Sequence, residues 1–135
     1  MQEQLNSEYQ ALLGWVVVAR EPEQVTVELP IESCHLNRSG HVHGGVLASL
    51  LDTAMSYSGL YSPEPEEIRK AVTLSLTTTF VSPARHGTLT IVGRLRGGGR
   101  KIYLSSGEIF DDQGTLIALG EGSFRRLSGS PTEAR

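Results

Sequence analysis

A disulfide within the chain is impossible, because its 135 residues include one cysteine, Cys34. A lone thiol fits a reducing compartment. Free cysteine is among the most often buried residue types, so Cys34 is expected as a small filler in the core. Long apolar runs are lacking as well. The longest, such as Val16-Val17-Val18-Ala19, fall far short of the roughly 20 residues a membrane-spanning helix needs. The stretch from Met1 to Trp15 has no basic region followed by an apolar one, so no signal peptide is expected, and the expected location is cytoplasmic. Positive charge is not in excess. Twelve lysines and arginines stand against 15 aspartates and glutamates, for a net charge of −3, which argues against nucleic acid as a partner. No membrane partner is expected either.

What is present is a globular composition, 39% hydrophobic and 20% charged. A chain of this length forms one domain with a real core. The domain is expected over residues 1–126, with residues 127–135 as a disordered tail.

Hydrophobic period and turn residues organise the chain. Leu5, Tyr9, Leu12 and Leu13 predict a short helix within residues 2–13. Strands follow at about 15–20 and 24–30, turned at Pro22. Residues 31–43 have no period and read as a loop. A long helix is predicted over 44–60, about 25 Å in length, and Pro63 and Pro65 end it. Four strand candidates close the chain, separated by Pro83 with His86-Gly87, by Gly97-Gly98-Gly99 and by Asp111 to Gly114. In the first of them, simple alternation sets Val72, Leu74, Leu76 and Phe80 on one face and Thr73, Ser75, Thr77 and Thr79 on the other. Strands joined by short turns pair antiparallel. One long helix with a strand-rich second half implies an α+β fold, the helix packed on a single antiparallel sheet.

The long helix carries the chemistry. Leu47, Leu50, Leu51, Ala54 and Ser58 form one stripe, expected to face the sheet. The other face holds Gly45, Ala48, Ser49, Asp52 and Ser56. Small residues there are expected to be covered by a partner subunit or a substrate. Asp52 is a lone carboxylate on that face. It serves either a structural hydrogen bond or a cleft, since an unpaired buried carboxylate is costly. At the helix start, His43-Gly44-Gly45 presents unpaired N–H groups and a partial positive charge, suited to a carbonyl oxygen gaining charge. Gly44 and Asp52 stand roughly 12 Å apart along the axis, too far to act on one carbonyl. Two antiparallel copies of the helix across a two-fold axis would bring Gly44 of one to Asp52 of the other.

The set Asn37, His43-Gly44-Gly45 and Asp52, followed by TLSLTTTFVSPAR at 73–85, resembles the hotdog-fold acyl-CoA thioesterases of the PaaI-like, phenylacetic acid degradation group. The resemblance spans roughly residues 10–126. It implies a long central helix wrapped by a curved antiparallel sheet, in a dimer or a tetramer of dimers. It implies an acyl-CoA substrate hydrolysed to free acid and coenzyme A, with Asp52 as general base or nucleophile and the Gly44 N–H polarising the thioester carbonyl. Asn37 and His43 would line the site, and Thr73 would stand near the attacking water. A thioester carbonyl is electrophilic and its thiolate leaves readily, so a carboxylate suffices without a histidine–serine relay. Arg85, Arg94, Arg96, Arg100 and Lys101 are candidates for the coenzyme A phosphates.

No cofactor is expected beyond coenzyme A as part of the substrate. No metal is expected either, because the His41–His43 pair with a distant Asp52 is not a plausible ligand set. His35 and His86 read as ordinary loop histidines, Trp15 and Tyr103 as core or acyl-pocket residues, and Arg125 and Arg126 as surface residues. Two rival readings share the fold: a non-catalytic acyl-CoA-binding protein and an enoyl-thioester hydratase.

Overall fold

The computed structural model describes residues 7–64 and 67–127. Helix α1 spans Glu8–Leu13, strands β1 Val16–Glu21 and β2 Gln24–Pro30, and helix α2 Gly44–Ser58. Strands β3 Ala71–Phe80, β4 Thr88–Gly98, β5 Ile102–Phe110 and β6 Leu116–Arg126 complete the chain. The first residues of the predicted N-terminal helix, and the tail from residue 128, lie outside the described residues.

The six strands form one antiparallel sheet in the order β1-β2-β4-β5-β6-β3. The helix α2 packs on one face of it, which is the hotdog arrangement that the resemblance implies. Its stripe is buried as the periodicity predicts: Leu47, Leu50, Leu51, Ala54 and Ser58 are all buried. Met55 is buried with them, a residue the stripe did not include.

Three glycines let the helix sit this deep. Gly93, Gly107 and Gly120 are cross-strand neighbours on β4, β5 and β6. A Cβ on Gly93 would stand 2.2 Å from the Ala54 carbonyl oxygen, and one on Gly107 would stand 2.9 Å from Met55 Cγ. The missing side chains make a trough under the middle of α2, so helix backbone and sheet backbone meet where a side-chain layer would normally intervene. At the helix C-terminus Arg126 donates to the Gly59 carbonyl from Nε and Nη2, at 3.1 and 2.7 Å. Its guanidinium also lies 4.4 Å from the centre of the buried Tyr103 ring. Arg126 is therefore half-buried and partnered, where a plain surface residue was expected. It satisfies a carbonyl at the helix end, where a cation is favoured. Tyr103 and Trp15 are core residues, and Tyr103 stacks on Phe124 with ring centres 5.4 Å apart.

Two further expectations are corrected. Cys34 is exposed, because the 3-10 turn Ser33–His35 directs its neighbour His35 inward instead. His35 is fully buried and is not an ordinary loop histidine. Its Nδ1 accepts from the Glu32 N–H at 2.9 Å and its Nε2 donates to the Leu13 carbonyl at 2.7 Å. One ring thus ties the end of α1 to the loop that leads into α2.

The faces of β3 also differ from simple alternation. A bulge falls between Thr73 and Ser75: Thr73 pairs with Phe124, and Ser75 pairs with the next residue back, Ser123. Leu74 is the extra residue, and a bulge reverses the parity of the residues on either side of it. Thr73 therefore shares the helix-facing side with Phe124, while Ser75 and Thr77 lie on the outer side with Ser123 and Glu121. Strand β3 pairs with β6 along one edge only, and its other edge meets no strand among the described residues. It is also apolar and open, with Val72 43%, Leu74 51%, Leu76 37% and Phe80 53% exposed.

Candidate functional site

Asp52 lies partly exposed on the small-residue side of α2. Helix α2 fixes its backbone, and the bulge in β3 supplies its partner: Thr73 Oγ1 donates to Asp52 Oδ1 at 2.7 Å. That bond uses one carboxylate oxygen. Oδ2 has no donor among the described residues, so it is available to a water or a substrate atom. One turn further along α2, the Ser56 carbonyl accepts from the Tyr103 hydroxyl at 2.7 Å. Burial pushes the Tyr103 phenol up to about 12, against the partial opposing pull of that bond and of Arg126.

His43 is the N-cap of α2. Its Nδ1 accepts from the Gly45 N–H at 2.8 Å, so its ring closes the first turn. Its carbonyl accepts from Val46 and Leu47. The Gly44 N–H donates to no group among the described residues. The Phe80 ring lies over Gly44, where a Cβ would sit 3.4 Å from its Cζ. Gly44 and Phe80 border an apolar groove of about 360 Å³, whose other walls include Val42, Leu47, Val81 and Ala84. The small-residue face is covered in part by α1, since Tyr9 and Ser49 share a hydroxyl–hydroxyl hydrogen bond of 2.7 Å.

Asn37 shapes the loop before the helix. Its Oδ1 accepts from the Ser39 and His41 N–H groups at 2.8 and 3.2 Å, and its backbone N–H donates to the His41 carbonyl. The side-chain amide N–H groups of Asn37 have no acceptor among the described residues.

The five candidate phosphate partners are not brought together. Arg85 lies beside the Asn37–His43 loop, with its Nη2 3.9 Å from where a Gly40 Cβ would be. Arg94 and Arg96 are on the sheet face away from α2, bonded to Glu108 at 3.1 Å and to Ser106 at 2.7 Å. Arg100 and Lys101 are exposed at the β4–β5 turn. Within one chain, Asp52 with Thr73 of β3 and Gly44 with His43 form two separate groups along α2. Among the described residues no three His, Cys, Asp or Glu side chains converge as a metal site would need. No described helix is long and apolar enough to cross a membrane.

A cluster that the sequence did not bring out lies just beyond Asp52 and Thr73. Arg20 from β1 stacks over the Tyr57 ring at 5.4 Å. Both line a cavity of about 280 Å³ with Lys70 and Ala71. The signal was weak, because the cluster joins a strand, a helix end and a loop distant in sequence.

The comparisons agree with the fold. The family model of the thioesterase superfamily matches residues 39–118. Acyl-coenzyme A thioesterase PaaI of Escherichia coli is 30% identical over 125 residues, covering 89% of this chain and 83% of that protein. Human acyl-coenzyme A thioesterase 13 is 28% identical over 115 residues, covering 83% and 80%. A conserved protein of Pseudomonas aeruginosa superposes with a TM-score of 0.85 at 30% identity, covering 93% of this chain and 98% of that one. The structure of the Escherichia coli PaaI protein, from the phenylacetic acid degradation operon, gives 0.82 at 27% identity, covering 96% and 91%. With the matched segment running from the loop before α2 through β3, β4 and β5 into β6, the chain belongs to the thioesterase superfamily.

Proposed function

We propose that this protein hydrolyses an acyl-CoA thioester to the free acid and coenzyme A, in a site shared by two subunits. The observation that carries this reading is the Thr73–Asp52 hydrogen bond beside an unpaired β3 edge. Antiparallel pairing of two β3 edges about their midpoint would set Thr73 of one subunit opposite Thr78 of the other, and Ala71 opposite Phe80. Phe80 lies over Gly44 of its own chain. The pairing therefore carries the free Gly44 amide of one subunit toward the Asp52 carboxylate of the other. An apolar ten-residue edge strand left open is an aggregation hazard, and such pairing removes it.

The chemistry then runs as a hydrolysis. Asp52 Oδ2 takes a proton from a water as its oxygen attacks the thioester carbon. The oxygen gaining charge is held by the Gly44 N–H, aided by the positive end of α2. The C–S bond breaks, and the proton on Asp52 passes to the departing thiolate. Thr73 holds Asp52 Oδ1, so the other oxygen keeps one orientation. His43 keeps the first turn of α2 in shape through Gly45. Asn37 holds the loop and offers its amide N–H groups to the site. The groove at Gly44 receives the pantetheine arm, and Arg85 beyond it is the phosphate partner with the best claim by position.

Release of free thiol from a panel of acyl-CoAs tests the reading. Thiol release by the wild type, absent in Asp52→Ala, supports it. Tight acyl-CoA binding without turnover would favour the binding-protein alternative, and loss of enoyl absorbance without thiol release would favour the hydratase.

A further inference from the structure

We propose that the acyl group accepted here bears a carboxylate at its far end, bound by Arg20, Tyr57 and Lys70. The proposal rests on the thioester reading above and names its substrate class.

Arg20 is the anomalous residue. Its guanidinium is half-buried, and burial lowers its pKa, with the Tyr57 ring acting in the opposite sense. Its one partner among the described residues is the Tyr57 ring. None of its N–H groups meets an acceptor among the described residues. A half-buried cation without a protein acceptor loses part of its hydration, and a ring face offsets only part of that loss. The Tyr57 hydroxyl and the ammonium of the exposed Lys70, which border the same cavity, also have no partner among the described residues. Burial raises the Tyr57 phenol, so it stays a protonated donor. Three donors thus face one cavity of about 280 Å³ with no acid among its lining residues. Glu67, in the segment leading to it, is engaged by Arg69 at 3.3 Å and by Ser62 at 2.7 Å.

Position selects the ligand. The cavity reaches Ser56, one turn beyond Asp52 and about 6 Å along the axis. It also reaches Ala71, two residues before Thr73 on β3. It therefore begins where the acyl chain would leave the reacting carbon, on the side away from the partner's Gly44 amide. Leu60 and Ile68 give it apolar surface for methylenes, and Arg20, Arg69 and Lys70 give it cationic surface. A short ω-carboxyacyl chain matches that combination of surfaces. A phosphate of the carrier would need to reach the same place, but the long pantetheine arm keeps the phosphates far from the sulfur.

The test compares glutaryl-CoA with pentanoyl-CoA, acyl chains of equal carbon count. The expected result is a kcat/KM preference for glutaryl of about tenfold or more, as for a site whose buried donors are unpaired by the analogue. Arg20→Met and Arg20→Gln should each cut that ratio at least tenfold, and Arg20→Lys should restore part of it. A wild-type preference for pentanoyl overturns the proposal without needing any variant. The same pair carried on N-acetylcysteamine, which has no phosphate, separates the two anion sources. If the Arg20 effect disappears on that carrier, the cavity serves a phosphate and the proposal fails. Calorimetry of free glutarate and pentanoate with Asp52→Asn protein is independent of turnover. Arg20-dependent binding of glutarate alone keeps the carboxylate subsite even if thioester hydrolysis is not found, and equal or absent binding of both acids overturns it.

Discussion

Thr73 and Asp52 are joined by a 2.7 Å hydrogen bond from the threonine hydroxyl to one carboxylate oxygen, across 21 residues of chain and between a strand and a helix. If Asp52 is the base, Asp52→Ala should lower kcat by about 10²-fold or more, and Asp52→Asn by a similar factor. Thr73→Val should cost roughly tenfold in kcat, and Thr73→Ser should recover most of it, because only the donor matters. Thiol-release assays at saturating substrate check all four.

The open β3 edge leads to a dependence on association. Leu76→Lys introduces a charge on that edge. It is expected to shift the protein toward monomer in sedimentation velocity and to remove thiol release in parallel, with circular dichroism verifying that the monomer is folded. For the wild type, specific activity should fall on dilution through the dissociation range. A folded, fully active monomer would contradict the shared site.

Gly93→Ala tests the trough beneath the helix. The new methyl would stand 2.2 Å from a backbone carbonyl of α2, and backbone cannot swing aside as a flexible side chain can. The expected loss is roughly 2–3 kcal/mol in urea unfolding, the upper range for overpacking. Gly97→Ala, with open space around it, serves as the control and should stay within about 0.5 kcal/mol, as surface changes do.

Tyr103 makes stability fall at high pH. Its phenol stays protonated in the fold to about pH 12, against an ordinary value of 10.0 in the unfolded chain. Below pH 10 both states hold the proton and the contribution is level. Between pH 10 and about 12 only the unfolded chain releases it, so unfolding is favoured by roughly 2–3 kcal/mol over that window. Tyr103→Phe should lack this component. Comparing the slopes of unfolding free energy against pH in the two proteins isolates it, and ultraviolet titration should show one phenol ionising late.

Much of this was legible in the residues. The stripe from Leu47 to Ser58 and the turns at Pro22, Gly97–Gly99 and Asp111–Gly114 fixed the helix and the strands, because period and turn chemistry are local. Asp52 and Gly44 stood out as a carboxylate and a helix start on one element, too far apart to act on one carbonyl within a single copy of the helix. What was hidden was non-local. From Thr73 to Thr77 hydroxyl and apolar residues alternate without a break, so nothing in the letters marks a bulge at Leu74. Arg126 looked like surface because its value lies in carbonyls far away in sequence. Cys34 and His35 exchanged roles because a 3-10 turn decides which neighbour points inward. The three aligned glycines sit on separate strands, and their alignment exists only after the strands pair.

The single supernumerary residue in β3 has a consequence for how this chain tolerates change. Upstream of Leu74 the strand obeys one parity and downstream the other, so the hydroxyl reaches the acid by counting as well as by identity. Deleting Leu74 while changing no other letter would leave Thr73 opposite Phe124 and Ser75 opposite Ser123, with the hydroxyl still turned toward Asp52. A one-residue shortening there should therefore spare the acid's partner, merging the two parities into one while the flanking pairs keep their places.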